Sequence, residues 1–253
     1  MILDSFKLTG KTAIVTGASR GLGQAMAIGL AEAGADLALV ASSSTDDTAR
    51  SIRNLGRKVC QIKGDLLQPG VSDLIVQTTV KELGGIDILV NNAGIIRRAA
   101  LIDFTEKDWD DVIQVNQKSL FFLSQAVARQ IIGQGRGGKI VNIASMLSYQ
   151  GGIRVPSYTA SKSAVMGLTR IMANEWAVHG INVNAIAPGY METDNTAPLR
   201  DDPKRNAEIL ARIPAGRWGS PDDLKGTVVF LSSSASNYMQ GHTVAVDGGW
   251  LSR

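Results

Sequence analysis

Tyr158 and Lys162 are the residues whose types and spacing most directly suggest chemistry. They are four positions apart in a predicted helix, so both side chains lie on one face, one turn apart. A free tyrosine has a pKa of about 10, too high for a good base near neutral pH, and a nearby ammonium group is expected to lower it. With the Ser145 hydroxyl to hold a substrate oxygen, these residues predict proton delivery to an alkoxide formed by hydride transfer to a ketone.

A glycine-rich turn lies between the first predicted strand and the first predicted helix. Glycine lets the backbone turn sharply and lets a ligand come close, and the first N–H groups of the following helix attract phosphate. This context predicts a site for the pyrophosphate of a dinucleotide, although a glycine-rich turn without a ligand is the alternative. The turn residues predicted to bind the cofactor are Gly17, Ser19, Arg20, Gly21, Leu22 and Gly23.

The end of the second predicted strand bears on the choice between NAD and NADP. An acidic residue there would bind the ribose hydroxyls of the adenosine and select NAD, but residues 40–44 read Val-Ala-Ser-Ser-Ser. Arg20 could instead bind the 2′-phosphate of NADP. In the alternative, Arg20 is a solvated turn residue and serines such as Ser42 bond the ribose of NAD. The predicted cofactor is therefore NAD or NADP.

Short β-branched runs alternate with longer helical patterns along the whole chain. The predicted strands are residues 12–16, 37–40, 58–62, 88–90, 139–143, 183–186 and 243–246. The predicted helices are residues 22–32, 46–55, 71–83, 107–132, 157–179 and 222–231, with Ser157 as the cap of the fifth. This alternation implies a parallel sheet with helices on both faces. We therefore expect residues 1–253 to form a single α/β domain, a doubly wound sheet of the Rossmann type.

Residues 188–221 depart from the regular alternation. They hold only one short helical pattern, at residues 204–212. A long irregular segment in a compact domain is often a lid over a binding site. We therefore expect residues 188–221 to cover the substrate.

Composition and charge narrow the function classes. The net charge of +3 comes without a basic run, which argues against nucleic acid binding. The longest apolar-looking stretch, residues 25–41, is interrupted by Glu32, Gly34 and Asp36, which argues against a membrane span. Cys60 is the only cysteine, and the two histidines match no metal-ligand spacing. The sequence thus predicts a cytoplasmic protein without a metal.

Several of these motifs, taken in order, resemble the short-chain dehydrogenase/reductase family over essentially the whole chain. The matching pieces are residues 16–23, 91–94, 116, 145, 158–162 and 188–189. The resemblance implies a seven-stranded parallel sheet of order 3-2-1-4-5-6-7. It also implies an NAD(P)-dependent reaction on a CH–OH group and assembly into homotetramers or dimers.

The resemblance also implies roles for single residues. Ser145 orients the substrate carbonyl, Tyr158 is the acid/base, and Lys162 binds the nicotinamide ribose and lowers the tyrosine pKa. Asn116 holds a water in a proton relay from Lys162. The other residues implied to contact the cofactor are Asp65, Leu66, Asn92, Ala93, Gly94, Pro188, Gly189 and Thr193. Structural alternatives remain: Asn116 could satisfy backbone groups, Asp65 could cap a turn, and Asn92 could brace the sheet.

A narrower resemblance is to the members of this family that act on six-carbon sugar acids of the deoxygluconate type. It is carried by residues 137–146, 148–157, 172–176, 213–218 and 246–251. A sugar acid brings a carboxylate, which requires a cation. Arg98 and Arg154 are candidates for that cation, and Gln150 could bond sugar hydroxyls. In the alternative, both arginines are solvated or lie at subunit contacts.

Two other functions stay open from the sequence. The same core could serve a 3-oxoacyl-carrier-protein-type reductase. A cofactor-binding regulator without catalysis is the second alternative, although Asn116, Ser145, Tyr158 and Lys162 are all present.

The two long helices carry more apolar residues than one sheet face needs. Val165, Leu168, Met172 and Trp176 form one stripe, and pairing such helices across a two-fold axis would bury the surplus. Such pairing would fit the homotetramer that the family resemblance implies. The four tryptophans are predicted to serve packing rather than ligand binding.

Overall fold

Seven strands form one parallel sheet, and the computed structural model describes residues 1–253. The strands are β1 (Thr12–Thr16), β2 (Asp36–Ala41), β3 (Val59–Lys63), β4 (Ile88–Asn91), β5 (Gly138–Ile143), β6 (Ile181–Pro188) and β7 (Thr243–Val246). Their order is β3-β2-β1-β4-β5-β6-β7, as the family resemblance implied. Every predicted strand is present, with ends that differ from the prediction by at most two residues.

Helices cover both faces of the sheet. They are α1 (Gly21–Glu32), α2 (Asp46–Asn54), α3 (Val71–Leu83), α4 (Glu106–Ile113), α5 (Ser119–Gln134), α6 (Pro156–Trp176), α7 (Ala197–Arg200), α8 (Pro203–Arg212) and α9 (Lys225–Ser232). One apolar cluster joins the sheet to α1, α2 and α9, and another joins it to α3, α5 and α6. The domain is therefore a doubly wound α/β sheet, which confirms the predicted fold class.

The central strands are mostly apolar because they are buried on both faces, whereas the edge strands β3 and β7 are only partly buried. All residues of β1 and β4 are buried, and these two central strands pair with each other in parallel. In such a sheet the ligand crevice lies beyond the carboxyl ends of the strands, where the chain order reverses. Here that point lies between β1 and β4, so it brings the glycine-rich turn and residues 92–94 side by side.

The helix predicted at residues 107–132 is interrupted. A π-helical turn, Gln114–Lys118, separates α4 from α5, and Asn116 lies within it. Such turns shift the helical register by one residue and often lie at functional sites. The continuous helix was a wrong prediction because the apolar pattern runs on through the turn.

The start of α6 also corrects the prediction. Val155 is the residue before the helix, Pro156 occupies its first turn, and no side chain caps it. Ser157 is fully buried inside the helix, and its hydroxyl has no hydrogen-bond partner. The prediction that Ser157 is the cap was therefore wrong, since proline at the first position needs no cap for its missing N–H.

Residues 188–221 contain more helix than the sequence suggested. Besides α8, they hold a 3₁₀ turn at Asp194–Thr196 and the short helix α7. Their inner side belongs to a small apolar cluster of Met146, Ile209, Ile213, Trp218 and Trp250. None of the helices has both the length and the apolar character that crossing a membrane requires.

Candidate active site

A cavity of about 1250 Å³ opens at the carboxyl ends of the strands. That exceeds the roughly 300–1,000 Å³ typical of a small-ligand pocket, and it suits a dinucleotide with a small second ligand. The glycine-rich turn, Ser145, Tyr158, Lys162 and the segment after β6 all line it. Residues far apart in the sequence thus meet in one place.

The glycine-rich turn has the geometry of a phosphate cradle. Gly17 and Gly21 have φ values of 66° and 57°, in the left-handed region that favours glycine. A Cβ atom at Gly23 would overlap the carbonyl oxygen of Gly17 and the side-chain amide of Asn92. Helix α1 begins at Gly21 with no side chain capping its N–H groups and no acid in its first turn. These groups are therefore open to an anion, so the turn fits the pyrophosphate of NAD or NADP.

Thr16 and Asn92 hold this cradle against the neighbouring strand. The Thr16 hydroxyl accepts hydrogen bonds from the backbone N–H groups of Asn92 and Ala93, both at 3.0 Å. The Asn92 amide donates to the Thr16 carbonyl at 2.9 Å. Asn92 thus has the bracing contacts of the structural alternative while also lining the cavity. The positioning role of Thr16 was not predicted, although its place directly before Gly17 was a usable signal.

Asn91 links three elements behind the site. Its amide donates to the Ser124 hydroxyl of α5 at 2.8 Å and to the Asn142 carbonyl oxygen of β5 at 2.9 Å. All three side chains are buried. The result is a polar brace that holds the ends of β4 and β5 together beneath the cavity.

Ser145, Tyr158 and Lys162 meet where β5 ends and α6 begins. The Ser145 hydroxyl accepts from the N–H of Leu147 at 3.1 Å and so caps the 3₁₀ turn Met146–Ser148. The Lys162 ammonium donates to the Ile143 carbonyl at 2.6 Å and lies 5.7 Å from the centre of the Tyr158 ring. The predicted one-turn spacing on α6 therefore places phenol and ammonium together beside Ser145.

Burial sets the protonation of both groups. Tyr158 is half-buried as a residue, and burial of its phenol raises the pKa above its usual value, opposed by the Ser145 hydroxyl and the charge of Arg98. Lys162 is 4% exposed, and burial lowers its pKa from 10.5 to about 8. The prediction that the pKa of Tyr158 is lowered is therefore wrong for the protein without a bound ligand. Burial removes the phenol from water, and this disfavours the charged phenolate.

Asn116 is buried within the π-helical turn. Its carbonyl oxygen accepts from the N–H of Ile95 at 2.8 Å, and its amide donates to the Ile95 carbonyl at 2.9 Å. These are the backbone contacts of the structural alternative. A side chain at Gly94 would begin 3.2 Å from the Asn116 oxygen and 3.8 Å from the Lys162 nitrogen, so all three lie together.

Most residues predicted to contact the cofactor line the cavity. They are Gly17, Ser19, Arg20, Gly21, Leu22, Gly23, Asn92, Ala93, Gly94, Tyr158, Lys162, Pro188, Gly189 and Thr193. Ser42, Asp65 and Leu66 lie outside its lining. Ser42 is exposed, Asp65 accepts from the N–H of Leu67 at 3.0 Å as a turn cap, and Leu66 packs against the core.

The predicted substrate residues also line the cavity. Arg98 donates to the Asn195 carbonyl at 3.0 Å, and Gln150 accepts from Arg212 at 3.1 Å. Arg154 is the only non-glycine residue with a positive φ, 63°. Such a strained backbone is often found at functional sites.

Residues 188–221 contribute further lining side chains. Asp194 forms an ion pair with Arg20 at 2.9 Å, which joins this segment to the glycine-rich turn. Arg212 and Trp250 line the cavity too, and neither was predicted as a site residue. Trp250 was predicted to pack; it does so in the small apolar cluster and also faces the cavity. No group of three or more His, Cys, Asp or Glu side chains is arranged to hold a metal ion.

Comparison with known proteins gives matches over nearly the whole chain. A family model described as enoyl-(acyl carrier protein) reductase matches residues 17–251. The chain is 61% identical over 253 residues to a 2-dehydro-3-deoxy-D-gluconate 5-dehydrogenase of Dickeya dadantii, covering 100% of both chains. It is 54% identical to the enzyme of the same name from Bacillus subtilis, covering 99% of this chain and 98% of that one.

The fold is also similar to that of a solved structure. The crystal structure of a gluconate 5-dehydrogenase from Burkholderia cenocepacia, in complex with NADP and tartrate, superposes with a TM-score of 0.94 at 40% identity. The match covers 100% of both chains.

Proposed function

Because the chain belongs to the short-chain dehydrogenase/reductase family and is an NAD(P)-dependent oxidoreductase acting on a CH–OH group, we propose that its substrate is a six-carbon sugar acid. The substrate we propose is 2-dehydro-3-deoxy-D-gluconate or 2-deoxy-D-gluconate. The observation that carries this proposal is the 61% identity to an enzyme named for the first of these acids. The match covers the full length of both chains.

The site chemistry supports the proposal. In the reducing direction the Tyr158 phenol gives its proton to the substrate carbonyl oxygen, and in the oxidising direction it takes the proton back. The Ser145 hydroxyl holds the same oxygen. Burial raises the pKa of the phenol and so favours its protonated form, which suits a proton donor. A bound nicotinamide supplies the hydride in the reduction.

Lys162 has donors left for a ligand. An ammonium group carries three N–H donors, and the Ile143 carbonyl accepts one of them. The others can bond the ribose hydroxyls of a nicotinamide nucleotide. We propose Asn116 as a fourth member of the site, with the water relay from Lys162 as its role, because it lies beside Gly94 and Lys162.

The cofactor is NAD or NADP, and the adenosine end of the site favours NADP. Arg20 is exposed and bound only to an equally exposed Asp194, so a 2′-phosphate can replace that carboxylate at little cost. The related Burkholderia enzyme holds NADP.

Residues 188–221 are proposed to cover the substrate. Three contacts tie this segment across the cavity: Asp194 to Arg20, Asn195 to Arg98, and Arg212 to Gln150. Each is exposed and therefore easily broken, as a covering segment that admits a substrate requires.

The homotetramer and the cytoplasmic location stay predictions. Val165 and Met172 of the predicted stripe are buried within the domain, so the stripe alone does not supply an interface. Phe122 of α5 and Ile171 of α6, however, are 47% and 48% exposed. Pairing these helices with those of a second copy would bury both side chains.

Absorbance at the NAD(P)H band tests the function. Purified protein is expected to turn over 2-deoxy-D-gluconate or the corresponding keto acid, and the panel includes both cofactors. Tyr158→Phe removes the phenol proton and is expected to lower kcat by about 100-fold or more. Ser157→Ala, a change of a buried hydroxyl one residue away, is the matched control. Turnover of a 3-oxoacyl thioester but no sugar acid contradicts the proposal, and a Phe variant with most of its activity contradicts the role of Tyr158.

A further inference from the structure

Arg212 lies at the end of α8, where it lines the cavity. Its guanidinium stacks over the Trp250 ring, 4.1 Å from the ring centre, and donates to the Gln150 side-chain oxygen at 3.1 Å. It forms no ion pair with any acidic side chain, and it is exposed. A charged group is thus held in place by two neutral partners while its charge stays uncompensated.

The other charged side chains around the cavity are engaged differently. Glu208 pairs with Arg205 at 3.0 Å, and Asp194 pairs with Arg20. Arg98 is bound to a backbone carbonyl of the covering segment. Arg98 and Arg154 also form no ion pair. Arg212 differs from them in being held by both an aromatic ring and a side-chain amide, and this preorganisation lowers the cost of binding an anion.

The contact with Gln150 orients a second donor. Arginine has only donors, so the Gln150 oxygen must face it and the amide nitrogen must face away. That nitrogen donates to no group of the protein. The indole N–H of Trp250 is buried without a hydrogen-bond partner.

This cluster shares one cavity with Ser145 and Tyr158. Trp250 belongs to the same small apolar cluster as Met146, which directly follows Ser145. Gln150 follows the 3₁₀ turn that Ser145 caps. Ser145 and Arg212 line the same cavity, so one ligand can contact both residues if it extends between them.

We propose that Arg212, with the Gln150 amide, binds the substrate carboxylate and makes the enzyme select sugar acids over uncharged sugars. The proposal rests on the sugar-acid function above and names the residue pair that recognises the acid. The guanidinium offers a two-pronged contact to a carboxylate that a lysine cannot reproduce.

The test compares KM for 2-deoxy-D-gluconate with KM for its uncharged amide. Arg212→Met is expected to raise KM for the acid about tenfold or more and to leave KM for the amide nearly unchanged. Arg212→Lys should recover part of the loss, and Gln150→Leu should raise KM for the acid in the same direction. Arg205→Met, on the same helix and cavity wall but with its arginine paired to Glu208, is the matched control with KM close to that of the wild type. NADPH binding, followed by fluorescence, should be the same in all variants.

The outcomes separate this proposal from the function it rests on. If the wild-type protein turns over no sugar acid, both fail. If it does, but Arg212→Met keeps the wild-type KM or impairs acid and amide equally, only the role of Arg212 is refuted. An Arg98 or Arg154 variant that alone shows the acid-specific loss also refutes it. Should Arg212→Met fold poorly by circular dichroism, Arg212→Lys and Gln150→Leu decide by the same acid-to-amide comparison.

Discussion

Replacing Lys162 by methionine should make the free energy of unfolding vary less with pH in the alkaline range. The same replacement should abolish most of the activity. Burial lowers the pKa of Lys162 from 10.5 to about 8, so carrying the charge costs stability in the folded protein. A depression of about 2.5 pKa units, at 1.36 kcal/mol each, corresponds to about 3 kcal/mol. Methionine has a similar length and no charge to bury, so the variant escapes this cost.

The sign follows from proton binding. Between pH 8 and 10.5 the unfolded chain binds more protons at this position than the folded protein, so wild-type stability rises with pH across this window. Below pH 8 the full cost of the charge is present, and above pH 10.5 it is gone. The free energy of unfolding of Lys162→Met, relative to that of the wild type, should therefore fall by about 3 kcal/mol between pH 8 and 10.5. Loss of the hydrogen bond to Ile143 shifts this difference by an amount that hardly varies with pH.

Urea unfolding followed by tryptophan fluorescence measures the difference, with both proteins at one concentration because assembly would add to stability. Lys139→Met is the matched control. Lys139 lies outside the active site, and burial lowers its pKa to about 8 as well. Both variants should show the falling difference, but only Lys162→Met should lose about 100-fold or more in kcat/KM. A difference for Lys162→Met that stays constant from pH 7 to above 10.5 would refute the reasoning.

Two further substitutions test the glycine-rich turn and the ion pairs of Asp87, which precedes β4 at the amino end of the sheet. Gly23→Ala places a Cβ on the Gly17 carbonyl and the Asn92 amide, so NADPH binding measured by fluorescence should weaken at least tenfold. Gly133→Ala on α5, with no atom within 4 Å of the new Cβ, is the control and should bind NADPH normally. Equal binding by both variants would contradict the cradle geometry. Asp87→Asn removes a charge that is 4% exposed and pairs with Lys11 at 3.3 Å and Arg136 at 3.0 Å. It should lower the free energy of unfolding by about 2 kcal/mol, since both partners are half-exposed, and an unchanged urea midpoint would show that these ion pairs add no stability.

Local patterns predicted the elements well. The runs of β1 and β7 gave correct bounds. All residues of β1 are buried, whereas β7 at the sheet edge is only partly buried and was recognised by its β-branched residues. The long helix at residues 107–132 was the main error. Asn116, inside the π-helical turn, bonds the distant backbone of Ile95, a contact that no local pattern encodes.

The amino-acid sequence by itself determined the fold class, the phosphate turn and the meeting of Tyr158 with Lys162. The reason is that glycine conformations and one-turn helical spacing are local properties. Tertiary structure alone decided which groups surround that pair. Burial raises the pKa of Tyr158 where charge spacing predicted a decrease, and Arg212 meets Gln150 across 62 positions of the chain. Desolvation and long-range contacts depend on what packs nearby, so only the folded chain reveals them.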